Sequence, residues 1–164
     1  VKDFKYLGRI LSDNDSDEEC VERNLKRAKG KWGSICRILS NEGASPKIMG
    51  TFYKTIVQSV LLYGSESWVL TKPMIKKLQS FHRRCARYIT GMHIRPNDPN
   101  DLDGEWTYPP TATVLEAAGL WPILEYIRRR RETVLRFASE RYIYRKCLAS
   151  SPLANTRNLL VWWH

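Results

Sequence analysis

Apolar residues recur at helical spacing in three long stretches of the chain. Val21, Leu25, Ala28, Trp32, Ile35 and Leu39 follow one another at steps of four and three, the pattern of one buried helix face. Just before them, Ser16-Asp17-Glu18-Glu19 has capping-box spacing, with acids where a helix N-terminus favours them. Asn41-Glu42-Gly43 ends this helix, and Ser45-Pro46 restarts the chain as N-cap and first helical position. A second helix carries Ile48, Phe52, Ile56 and Val60, broadened by Met49, Tyr53, Val57 and Leu61. It is expected to be buried on most sides, with Gly64 as its stop. A third follows Thr71-Lys72-Pro73, with Met74, Leu78, Phe81, Cys85, Tyr88 and Ile89 on one face and Gly91 at its end.

The flanking segments pattern differently. Phe4-Lys5-Tyr6-Leu7-Gly8-Arg9-Ile10-Leu11 alternates loosely and reads as a short strand or hairpin arm, followed by turn residues Ser12-Asp13-Asn14-Asp15. Residues 92–110 hold four prolines and four acids, which predicts a linker or surface loop. Residues 113–119 read as a short helix closed by glycine. Pro122 then opens a long helix through Ile123, Ile127, Val134, Phe137 and Ala138 to about Cys147. The fold class expected is mainly α: a bundle of three helices plus a further long helix, with a short N-terminal β segment. The segments fall at 1–16, 17–91, 92–110, 111–147 and a tail at 148–164. The chain starts at Val1 without a Met and stops at Trp162-Trp163-His164, so both ends read as cuts in something longer.

Composition narrows the class. With 43% apolar and 11% aromatic residues in 164, a packed core is within reach. The longest apolar run, Ile56-Val57-Gln58-Ser59-Val60-Leu61-Leu62, is far short of a membrane span. Cys20, Cys36, Cys85 and Cys147 stand far apart with no C-x-x-C pair, which argues against zinc ribbons and disulfide scaffolds and for a reducing setting. The formal charge is +10, from 27 Lys+Arg and 17 Asp+Glu. Residues 1–19 contain three Lys/Arg and six Asp/Glu, a net of −3, which leaves +13 for the rest. Such an excess calls for an anionic partner, with nucleic acid first in line.

The cations are placed with some order. Opposite the apolar stripe of the first helix lie Arg23, Lys26, Gly30, Gly33 and Arg37, flanked by Arg27 and Ser34. Glycine in a helix interior costs about 1 kcal/mol relative to alanine, and is kept where something approaches the backbone closely. A phosphate backbone along that face would account for both glycines and cations; packing against a neighbouring helix would account for the glycines alone. The third helix repeats the arrangement with Lys72, Lys76, Arg83 and Arg87, beside Lys77 and Arg84, and residues 67–97 contain no acid. Arg128-Arg129-Arg130-Arg131 sweeps most of a helical turn. Arg130 and Arg131 should therefore fall beside the apolar stripe and need partners, either carboxylates such as Glu66 or Glu116, or phosphates.

No constellation here is expected to be catalytic or to hold a metal. Asp13, Asp15 and Asp17 mimic the start of an EF-hand loop, but Glu18 replaces its glycine and Asn24 its bidentate glutamate. His82, His93 and His164 have no partners at metal spacing.

The order of the local motifs resembles a known family. Phe4-Lys5-Tyr6-Leu7-Gly8 is followed by the basic helix with Lys26-Arg27-Ala28-Lys29-Gly30-Lys31-Trp32. Then come Val60-Leu61-Leu62-Tyr63-Gly64-Ser65-Glu66-Ser67-Trp68, the basic Cys85 helix, and Ile127 with the four arginines. This is similar to the region downstream of the palm in reverse transcriptases of non-LTR (LINE-type) retrotransposons, over roughly residues 3–140. The resemblance implies that Phe4, Tyr6, Leu7 and Gly8 belong to a primer grip. It makes residues 17–91 a thumb gripping a template–primer duplex, with Glu66 and Trp68 locking the exit of the second helix. Arg128–Arg131 would belong to a C-terminal region that engages template RNA or target DNA. The catalytic aspartates of such a polymerase, and the Mg2+ they bind, would lie upstream of Val1, so no cofactor is expected in this chain. The partners implied are an RNA/DNA duplex or target DNA, and the upstream palm; the localisation implied is intracellular and nuclear. Two other readings stand beside it: a helical module whose cations meet an acidic protein, and a non-functional relic of a retroelement.

Overall fold

Helix α1, Glu18–Asn41, forms where the four-and-three spacing demands it and buries Val21, Leu25, Ala28 and Leu39. The computed structural model of the chain describes residues 3–6, 9–12, 17–96 and 106–140. Ahead of α1, strands β1 (Asp3–Tyr6) and β2 (Arg9–Ser12) pair antiparallel, with Phe4 opposite Leu11 and Tyr6 opposite Arg9. The N-terminal β segment is thus a hairpin, and its Leu7 and Gly8 lie outside the described residues. After α1 come α2 (Pro46–Phe52), a π turn (Tyr53–Val57) and α3 (Gln58–Leu61) in continuous succession. A 3-10 turn (Ser65–Ser67) then leads to α4, Lys72–Thr90. Strands β3 (Arg95–Pro96) and β4 (Trp106–Thr107) pair antiparallel, so part of the expected linker is a short ribbon. Helices α5 (Thr111–Ala117) and α6 (Ile123–Glu140) complete the described chain. The architecture is mainly α, and no described helix is long and apolar enough to cross a membrane. The expected helix end at Cys147 and the tail at 148–164 lie outside the described residues.

Glycines close the helices as the sequence predicts. Gly43, Gly64, Gly91 and Gly119 all have φ between 64° and 77°, the left-handed region that a Cβ disfavours. The start of α1 departs from its expected capping box. Asp17 is the N-cap residue, but its side chain makes no cap bond; its Oδ2 instead accepts the Val69 backbone N–H at 2.8 Å.

The second helix is the main correction. Met49, Tyr53, Val57 and Leu61 are buried, whereas Ile48 is 49% and Phe52 40% exposed, with Ile56 and Val60 half-buried. A row at strict steps of four drifts around an α-helix by about 40° per step. The π turn winds fewer degrees per residue, which keeps Tyr53 and Val57 on the inner line and leaves the neighbouring row outside.

One hydrophobic core serves all the helices. Val21, Leu25, Val57, Leu61, Leu78 and Phe81 belong to the same buried cluster as Val114, Leu115, Ala118, Leu120, Ile123 and Ile127. Each buried Leu or Ile side chain contributes about 1.5–3 kcal/mol. Helices α5 and α6 therefore share the interior of α1–α4. Past Arg131 helix α6 leaves this core: Val134 and Phe137, expected on its buried face, are exposed.

A buried polar chain crosses the interior. The Nε2–H of His82 donates to the Trp121 carbonyl at 2.8 Å, which leaves Nδ1 to accept from the Tyr53 hydroxyl at 2.8 Å. A carbonyl can only accept, so Nε2 carries a proton, and burial keeps the ring neutral as the Nε2–H tautomer. Burial pushes the His82 pKa down to about 4 and holds that of Tyr53 well above its ordinary value. The ring thus ties the π turn, α4 and the α5–α6 connection together. Its location in the core was not visible from its neighbours in sequence, which are basic.

Polar side chains also clamp the turn between α3 and α4. Asn24 on α1 donates to the carbonyls of Tyr63 (2.9 Å) and Leu61 (3.4 Å). From α6, Arg130 donates to the Leu62 carbonyl (3.2 Å) and Arg131 to that of Trp68 (2.5 Å). Carbonyls at the end of a helix have fewer partners than those inside it; the Leu62 carbonyl accepts the Ser65 backbone N–H at 3.1 Å as well as the Arg130 side chain. Of the two residues implied to lock this exit, Trp68 is buried and Glu66 exposed.

Candidate nucleic-acid interface

Where α1 and α4 lie side by side, their flanks enclose an open groove of about 790 Å3. Its walls carry Lys26 and Lys29 from α1, and Lys76, Lys77, Arg83 and Arg84 from α4, over a floor that includes Leu25 and Phe81. The elements place these residues by simple periodicity. Leu25 and Phe81 belong to the core stripes, and residues one to four positions away rise beside them toward solvent.

The one acid in the lining is Glu22. It is matched by Lys77, whose Nζ lies 2.6 Å from Glu22 and 2.9 Å from Glu18. The hydrogen bonds that Lys77 donates to Glu22 and Glu18 raise its pKa. Among the described residues, none of the other five cations forms an ion pair. They share one concavity, where like charges reinforce a positive field and attract an anion.

The groove gathers only part of the basic set expected from the sequence. Lys26, Lys76 and Arg83 line it; Arg23, Arg27, Arg37, Lys72 and Arg87 do not. Arg87 is half-buried and, with Arg83, lies against Thr111, Val114 and Leu115 of α5. Arg37 folds back on its own helix, its Nε donating to the Gly33 carbonyl at 3.2 Å. Lys29 was missed, because a concavity between two helices forms on the flank of each apolar stripe, whereas the sequence reading selected the residues opposite it.

Gly30 and Gly33 lie on α1 in the open. A Cβ built on either meets no atom of the described residues within 4 Å, so packing against a described helix is not the reason for these glycines.

The arginine run has partners within the chain. Arg130 and Arg131 donate to backbone carbonyls, in place of the expected carboxylates of Glu66 or Glu116. Burial lowers the Arg131 pKa. Arg128 bonds Glu125 (2.7 Å) and Glu132, while Arg129 bonds Glu125 at 2.9 Å and stacks 3.8 Å over the Trp121 ring. Hydrogen bonds from Arg128 and Arg129 hold the Glu125 carboxyl well below the usual range. Phe4 and Tyr6 of the implied primer grip lie on β1. Leu7 and Gly8, like Asp13 and Asp15, lie outside the described residues, and Asp17 serves the Val69 bond instead of a cation loop. Among the described residues no three His, Cys, Asp or Glu side chains cluster as metal ligands.

Comparison with known proteins adds one likeness. The chain is 23% identical over 107 residues to a transposon-derived protein of Caenorhabditis elegans that is itself uncharacterised. The match covers 64% of this chain and 37% of that protein, so the chain spans little more than a third of its relative. No family model and no solved structure matches.

Proposed function

We propose that this chain is the template–primer-binding portion of a retrotransposon RNA-directed DNA polymerase, without that enzyme's catalytic aspartates. The observation that carries the reading is the groove between α1 and α4, in which five cations with no ion pair among the described residues converge from two helices. A phosphate backbone is an extended, regularly spaced anion, and a row of Lys and Arg along a concavity is complementary to it. The open face at Gly30 and Gly33 extends that surface along α1. The similarity to a transposon-derived protein supports a mobile-element origin, and the motif order supports the reverse-transcriptase class. Binding of this kind rests on counterion release and is largely indifferent to sequence.

The test is the affinity of the chain for an RNA/DNA hybrid as a function of salt. Engagement of the five groove cations gives a log–log salt slope of about −4. Lys26→Glu combined with Lys76→Glu should weaken binding at least tenfold and make the slope shallower. Lys47→Glu, on the exposed start of α2, should leave both unchanged. Equal losses in the groove and Lys47 variants would remove the groove from the interface.

A further inference from the structure

The basic groove does not end at α4. Arg83, which lines it, also lines a second depression of about 350 Å3, bounded by Gln79, Leu115, Pro122 and Ile123. Leu115 and Pro122 in turn line a third of about 350 Å3, whose walls include Trp121 and Glu116. The shared residues place the three in a row, from the cleft between α1 and α4 to the corner joining α5 and α6. Its character changes along the way. The first part is lined by cations, the rest mainly by apolar side chains, with an amide from Gln79 and a carboxylate from Glu116.

We propose that the apolar end of this row receives the unpaired nucleotides of a nucleic acid whose double-stranded part lies in the basic groove, with a base stacked on Trp121. The inference rests on the nucleic-acid reading above and adds a second subsite to it. A duplex presents only its backbone to a groove lined by cations, because its bases are stacked and paired inside. Apolar slots have nothing to offer it. A single strand exposes the flat faces of its bases, which protein binds by stacking on aromatic or guanidinium planes. Each slot lies at the lower end of the volume range for small-molecule sites, about 300–1,000 Å3, which suits one nucleotide.

Trp121 is prepared for this use. It is 46% exposed, and its ring is held by Tyr126, at a centroid distance of 5.5 Å and a tilt of 30°. The Arg129 guanidinium covers one face, 3.8 Å from its centroid, so the base is assigned to the other. The Trp121 N–H donates to the Tyr126 hydroxyl at 3.1 Å and its carbonyl accepts from His82, which fixes the backbone as well. A ring already immobilised loses little entropy when a base is added. Arg83 at the junction supplies a cation where the strand leaves the groove, and Gln79 and Glu116 offer hydrogen-bonding groups to base edges.

The experiment compares two ligands on the full chain at one low salt concentration. One is a blunt RNA/DNA hybrid; the other is the same hybrid with a six-nucleotide single-stranded extension. The extension should tighten binding roughly tenfold, and Trp121→Ala should abolish that gain while leaving the affinity for the blunt hybrid unchanged. Trp121→Phe, which keeps an aromatic face and disturbs folding less, should retain most of the gain. A 5-iodouracil placed in the extension should photocrosslink to Trp121. Tight binding of the blunt hybrid with no gain from the extension overturns this inference and leaves the groove intact. Equal loss on both ligands in the Trp121→Ala and Trp121→Phe variants also overturns it. Failure to bind either ligand overturns the groove reading and this one together.

Discussion

The hydroxyl of Tyr53 and the Nδ1 of His82 lie 2.8 Å apart in the core, with the hydroxyl donating. Burial keeps the His82 ring neutral in the folded chain, with a pKa of about 4 against the ordinary histidine value of 6.5. Its one proton sits on Nε2, because the Trp121 carbonyl can only accept, which leaves Nδ1 as the acceptor.

That difference in pKa sets a pH dependence. Between pH 6.5 and 4 the unfolded chain binds the His82 proton and the folded chain does not, so stability falls as the pH falls through that window. The full loss is about 3 kcal/mol. Stability from His82 is complete above pH 6.5, and the decline levels off below pH 4; Glu125, held low by Arg128 and Arg129, titrates lower still. Urea denaturation at a series of pH values measures this slope. In His82→Gln the slope between pH 6.5 and 4 should largely disappear, whatever the variant's absolute stability.

Gly50 gives a prediction of a different kind. A Cβ on this residue would lie 2.1 Å from the carbonyl oxygen of Ala118, which is backbone and cannot rotate away. Gly50→Ala should cost about 3 kcal/mol through overpacking, despite the better helix propensity of alanine. Thermal melts would show this as a lower Tm. An unchanged Tm would mean that the approach of α2 to the end of α5 is looser than 2.1 Å implies.

Gly30 and Gly33 should behave in the opposite way. With open space around both, Gly30→Ala and Gly33→Ala should each stabilise the fold by up to about 1 kcal/mol. On the proposed function the same substitutions weaken hybrid binding, because a Cβ holds the ligand's backbone away from α1. Stability and affinity, measured on the same samples, should therefore move in opposite directions. A gain in both would assign the glycines no role in binding.

Much of the fold was written in local pattern. The stripe from Val21 to Leu39, the Ser45-Pro46 restart and the left-handed glycines depend on neighbours within a few residues, and the sequence carries those directly. What escaped was set by distant partners. Nothing local distinguishes the Met49 row from the Ile48 row; the π turn decides between them. His82 reads as one more polar residue among cations until Tyr53 and the Trp121 carbonyl close around it. The candidate groove was half legible for the same reason. The faces of α1 and α4 could be drawn separately, but Lys29 enters only through the flank on which the two helices meet.

The Tyr63–Trp68 turn has a bearing on where this chain can be divided. Asn24 holds it from one side, and Arg130 and Arg131 from the other, more than sixty residues further along the chain. A recombination joint placed at the proline-rich stretch near residue 100 looks harmless in the sequence. It would separate the arginines from the carbonyls they bond and strip Ile123 and Ile127 out of a shared interior. Helices α1 to α6 therefore form one interdependent unit, in which the helices on either side of that stretch complete each other's core.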